Sequence, residues 1–178
     1  MIQSLSRISF ATIIILALIS GRDSIAQTSH DHHSSYAGQE GSEIAGLSAR
    51  EVEQLVNGEG MGLARPAELN HYPGPMHVLE AAEELALTEE QERQTRSIFE
   101  RMKAEAKRIG SEIIEKEREL SRRFEHRHID REMLAELTGE IGLLRAKLRA
   151  THLEAHLEMA EVLTPEQVAE YDTLRGYI

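Results

Sequence analysis

Two stretches decide how this chain is read: Leu87-Thr88-Glu89-Glu90-Gln91 and Leu163-Thr164-Pro165-Glu166-Gln167. Each has the form of a helix start. The threonine hydroxyl accepts from the backbone N–H of the third helical residue, and the glutamine there reaches back to the threonine N–H. In the second copy Pro165 takes the first helical position, where its missing N–H costs nothing, and Leu163 and Val168 are spaced for a hydrophobic staple. In the first copy Glu92 sits at the staple position. Between the two copies lies a long stretch with no proline and few glycines, which predicts a helical hairpin.

Within that stretch, Gln91, Thr95, Ile98, Met102, Ile109, Ile113, Leu120 and Phe124 fall on one face at helical spacing. After His126-Arg127-His128, Asp130 is placed to cap a return helix. The seam of that helix is Leu134, Leu137, Ile141, Leu144, Leu148, Ala155, Met159 and Val162. A second apolar stripe, Leu143, Ala146, Ala150, Leu153 and Leu157, runs along its later half. A helix apolar on two sides needs two partners, so shorter helices, a second copy, or both should cover the hairpin. Ser48-Ala49-Arg50-Glu51 forms a further capping box for a short helix ending at Gly58. The irregular stretch from Asn57 to Pro75 is long enough to suggest a functional loop or a linker. Pro75 suits the first turn of a helix through His77, Leu79 and Leu85, and a last helix should run from Pro165 to about Leu174. The expected fold is all-α: a long antiparallel helical hairpin with short flanking helices, dimeric.

The N-terminus reads as an address. Arg7 precedes an uncharged apolar run from Ile8 to Ser20, and Ser24-Ile25-Ala26 offers small residues for cleavage after Ala26. The run falls short of the ~20 residues that a membrane span needs, although an uncleaved anchor is the alternative. The organisation is therefore a signal peptide at 1–26, a disordered His/Ser/Gly-rich segment at 27–46, and a helical domain at 47–178, with the mature chain in the periplasm. Loss of Arg7, Arg22 and Asp23 changes the formal charge from −11 to −12. That balance argues against nucleic acid as a partner, because phosphates call for basic surface. The chain contains no cysteine, which excludes disulfides, thiolate metal sites and cysteine nucleophiles.

An export signal, low aromatic content, a helical hairpin and paired Leu-Thr-x-x-Gln motifs together resemble the Spy/CpxP superfamily. The stretches Gly60-Met61-Gly62-Leu63-Ala64, Ala67-Glu68-Leu69-Asn70 and Tyr72-Pro73-Gly74-Pro75-Met76-His77-Val78-Leu79-Glu80 resemble its heavy-metal sensors and refolding chaperones. The resemblance implies a periplasmic stress protein. In the CnrX- and ZraP-like branches such a protein senses or binds heavy metals, and elsewhere it is an ATP-independent chaperone for non-native proteins or restrains a membrane-bound sensor. CnrX-like relatives combine a His-x-x-x-His pair, a His/Met pair and a carboxylate. This chain carries its clear His-x-x-x-His on the return helix, not near the N-terminus.

That pair is His152 and His156. Four residues apart, they lie about 40° apart around a helix, so both rings can reach one ion. Met159 lies on the other side of His152. Antiparallel pairing makes Met102 and Glu105 natural partners across the hairpin, with His71 and His77 as further candidates. Two readings stand side by side. In one, these residues bind Cu, Ni, Co or Zn; in the other, Glu105 satisfies His152 and the methionines only pack. His30, His32 and His33 form a second tract, able to scavenge metal ions or simply solvated. No Gly-x-Ser-x-Gly elbow, phosphate-binding loop or His-Glu-x-x-His motif occurs, so an enzyme is not expected.

Overall fold

Six helices follow one another without a strand among the described residues: α1 Ala49–Asn57, α2 Arg65–Glu68, α3 Pro75–Glu80, α4 Glu89–Glu125, α5 Arg131–Val162 and α6 Pro165–Arg175. The computed structural model describes Ser34 and residues 36–38, 41–42 and 44–178, and Tyr36–Ile178 form one unit. The signal peptide expected at 1–26 and the tract His30, His32 and His33 lie outside the described residues. No helix among the described residues is long and apolar enough to cross a membrane.

The predicted hairpin is α4 and α5. Asp130 caps α5, accepting from the Met133 N–H at 2.9 Å. Ion pairs bridge the two helices along their length: Arg101 with Glu158, Lys116 with Glu140 at 2.7 Å, and Arg145 with Glu117 at 2.9 Å. The first two pairs remain largely open to solvent, the second half-buried, and are worth ~0–1 kcal/mol each, so they set register more than stability. Apolar burial supplies the rest, in two separate cores. One joins Ile44, Leu47 and Leu55 to Ile109, Ile113, Ile114 and Leu148. The other joins Val78, Leu85 and Ile98 to Ala155, Met159, Leu163 and Tyr171.

Helix α1 follows its sequence signals: the Ser48/Glu51 capping box closes at both ends, and Gly58 ends the helix in the left-handed conformation at φ 62°. It reaches α4 at Gly110, where a Cβ would lie 2.3 Å from the Leu55 carbonyl oxygen. Only glycine permits this approach. The irregular stretch contains α2, which the sequence reading did not anticipate. Helix α3 is shorter than expected, ending at Glu80, after which the chain turns and Ala86 takes φ 47°. Phe124 and Leu134, assigned to the seam, are 55% and 37% exposed. They lie near the hairpin tip, beyond the point where the Ala45 N–H donates to Ser121 Oγ. The second stripe is also open, with Leu143 and Leu157 both exposed.

The two Leu-Thr-x-x-Gln motifs form complete capping boxes and also bind each other. Gln91 Nε2 donates to Gln167 Oε1 at 2.8 Å, and Gln167 Nε2 donates to Gln91 Oε1 at 3.1 Å. The second proton of each amide goes to a carbonyl, of Val162 for Gln91 and of Leu85 for Gln167. Each Oε1 also accepts its own threonine N–H, at 3.1 Å and 3.0 Å. Every donor and acceptor of both amides is thereby used. Gln91→Leu should therefore cost ~2–3 kcal/mol, because it strands the Gln167 amide and the Val162 carbonyl. The double variant Gln91→Leu/Gln167→Leu should cost at least ~1 kcal/mol less than the sum of the two single variants. Urea melts of all four proteins measure this; additive costs would show that the amides act independently.

Candidate metal-binding groove

Between the two cores runs a groove of about 680 Å³ whose lining is mainly apolar. The loop after α1 and helix α2 form one wall, the start of α3 and the C-terminal residues another, and α4 and α5 the floor. His152 and His156 both open onto it. They mark where the cores part, since Leu148 belongs to one and Ala155 to the other.

His156 is oriented by a carbonyl. Its Nδ1 donates to Tyr72 O at 2.8 Å, which fixes the tautomer and leaves a lone pair on Nε2. The Tyr72-Pro73-Gly74-Pro75 segment has no N–H at either proline and turns tightly past the ring. A Cβ on Gly74 would sit 2.9 Å from His156 Cε1, 3.3 Å from Nε2 and 2.8 Å from Glu68 Oε1. A side chain there would push aside the His156 ring or the Glu68 carboxylate, which share this corner. Glu68 accepts from Tyr171 Oη at 3.1 Å and 3.0 Å and from Tyr177 Oη at 2.9 Å. Burial, with the Glu68 charge beside it, raises the Tyr171 pKa well above the phenol range and keeps the hydroxyl a donor.

His152 is the anomaly. It is only 4% exposed, and its buried Nε2 has no hydrogen-bond partner. An unsatisfied buried polar atom costs ~1–3 kcal/mol. Burial lowers its pKa, and the neighbouring His156 lowers it further, so the ring is neutral with a lone pair to offer. Two imidazole nitrogens on one helix face, one orphaned and one freed by a carbonyl, fit a metal ion.

The other candidates separate. Met102 and His77 line the groove, although His77 Nδ1 also donates to Glu80 Oε2 at 2.8 Å. Glu105 does not line it. Its carboxylate accepts from Arg108 Nε at 2.8 Å, which lowers its pKa. Its neighbour Ala106 is the residue that is fully buried, in the first core. Met159 is fully buried in the second core. His71, at φ 65°, donates from Nδ1 to Asp172 Oδ2 at 2.7 Å and ties the loop to α6. Among the described residues no three His, Asp or Glu side chains converge to hold an ion. The sequence reading missed Glu68, Gly74, Met61 and Met76 as groove residues. The Gly60-Met61-Gly62 and Tyr72-Pro73-Gly74-Pro75 stretches are the signals for the last three; Glu68 stands in the Ala67-Glu68-Leu69-Asn70 stretch, but nothing there pairs it with the C-terminal tyrosines.

A long helical hairpin carrying this groove defines a protein of the Spy/CpxP-like helical superfamily. Residues 55–170 match the family described as heavy-metal resistance. The chain belongs to that family. No curated protein and no solved structure gives a significant match.

A pH test follows from His152. Its folded-state pKa lies below the unfolded value of ~6.5, so the folded chain binds fewer protons there. The associated stability is fully present above that pH and is lost as pH falls through the folded value. Between pH 7.5 and pH 5 the wild-type Tm should fall more steeply than that of His152→Leu. Parallel curves in thermal melts would show that His152 is no longer neutral by burial.

Proposed function

We propose that this chain is a periplasmic, non-catalytic protein that binds heavy-metal ions as a sensor or buffer, using Nε2 of His152 and Nε2 of His156. The observation that carries this is the buried, partnerless His152 Nε2 beside a second imidazole whose tautomer is already set. Membership of a heavy-metal resistance family supports the reading, and the export signal expected at 1–26 supports the compartment. The Glu68 carboxylate beside His156 adds negative charge near the ion. We place a second copy of the chain over the open stripe of Leu143 and Leu157.

Calorimetric titration of the metal-free protein with Cu, Ni, Co and Zn ions tests the site. His152→Ala/His156→Ala should lose binding by ~100-fold or more, since each imidazole is a principal ligand; unchanged affinity and stoichiometry would sink the site.

A second reading is favoured by Leu69, Tyr72 and Met76, three exposed apolar side chains near one another in the chain. They offer an apolar surface for non-native proteins, as a chaperone would. A metal-free sample should then suppress aggregation of a model client at equimolar dose. No effect on light scattering would remove this reading.

A further inference from the structure

Of the six methionines in the chain, three line the same groove as His152 and His156: Met61, Met76 and Met102. They come from three different elements, the loop after α1, the first turn of α3 and the middle of α4. Met76 is 44% exposed, so burial does not explain it. Met61 sits between Gly60 and Gly62 at φ 47°, a left-handed conformation that glycine takes freely and that a side chain resists.

The charges point the same way. The groove carries Glu59 and Glu68 against Arg65, Lys103 and Arg175. Both oxygens of Glu68 already accept from tyrosine hydroxyls. Zn(II), Ni(II) and Co(II) accept imidazole but complete their shells with carboxylate, carbonyl or water oxygen, and each would meet a surplus of positive charge in this lining. A soft monovalent ion brings half that charge and prefers thioether and imidazole donors.

We propose that the groove selects a soft monovalent cation, cuprous copper or silver, held by His152 and His156 together with thioethers from Met61, Met76 and Met102. This rests on the metal-binding reading above and names the class of ion. Binding involves no change of oxidation state; lone pairs on sulfur and nitrogen are donated to a filled-shell cation.

The test titrates metal-free full-length protein with Ag(I), with Cu(I) under anaerobic competition with a chromophoric chelator, and with Zn(II), Ni(II) and Co(II). The monovalent ions should bind at least ~100-fold more tightly than the divalent ones. Met61→Leu/Met76→Leu/Met102→Leu keeps volume and apolar character. It should weaken Ag(I) and Cu(I) by ~100-fold while leaving divalent binding within ~3-fold. Divalent ions binding as tightly as Cu(I) would overturn the selectivity while leaving the histidine site standing. Cu(I) affinity lost in the histidine variant but unchanged in the methionine variant would show that the thioethers only pack. No binding of any ion to the wild type would remove the metal-binding reading as well. Should the triple variant fail to fold, X-ray absorption at the copper edge of the wild-type complex decides. Sulfur scatterers are expected, and a shell of nitrogen and oxygen alone would overturn the proposal.

Discussion

Two glutamine side chains, Gln91 and Gln167, hold the base of this molecule together. Each closes the capping box of its own helix and each donates to the other. The start of α4 and the start of α6 are therefore fixed against each other by directional bonds, in a place where apolar packing alone would allow sliding. Because α5 ends directly before the second box, its register against α4 is set from the same point. The position of His152 relative to Met102 follows from that register.

Above this anchor the chain builds two cores instead of one. α1 covers α4 over Gly110, where the missing Cβ lets backbones meet, whereas α3 and α6 cover the base. Neither set of helices fills the space between them. The loop from Gly58 to Gly74 crosses there and brings α2, with Glu68, against the C-terminal tyrosines. A buried histidine with an empty nitrogen sits on the floor of that gap because no neighbouring element reaches it.

The hairpin was legible in the sequence because its signals are local. The capping boxes, Asp130 and the seam through Leu137, Ile141, Leu148 and Ala155 all act within a turn or two of where they are written. His152 was placed correctly on the inner face for the same reason. What escaped was long-range. The reciprocal bonds between Gln91 and Gln167 join residues whose local caps already explain them, so nothing in either motif advertises the pairing. Glu105 looked like a partner for His152 on spacing, but Arg108 one turn on takes its carboxylate. Glu68 carries no local signal, because its two tyrosine partners lie on another part of the chain. Phe124 and Leu134 have the right periodicity and the wrong neighbourhood: a seam buries a residue only where a third element lies over it.

Glu68 is separated by 103 residues from Tyr171 and by 109 from Tyr177. The corner that positions His156 therefore exists only once α2 and the C-terminal residues have met. A half-folded chain carries both histidines yet lacks the walls around them. Any ligand that requires those walls would discriminate between finished and unfinished molecules, and by mass action would draw the population toward the finished ones. For such a ligand, recognition and proofreading of the fold would be the same event.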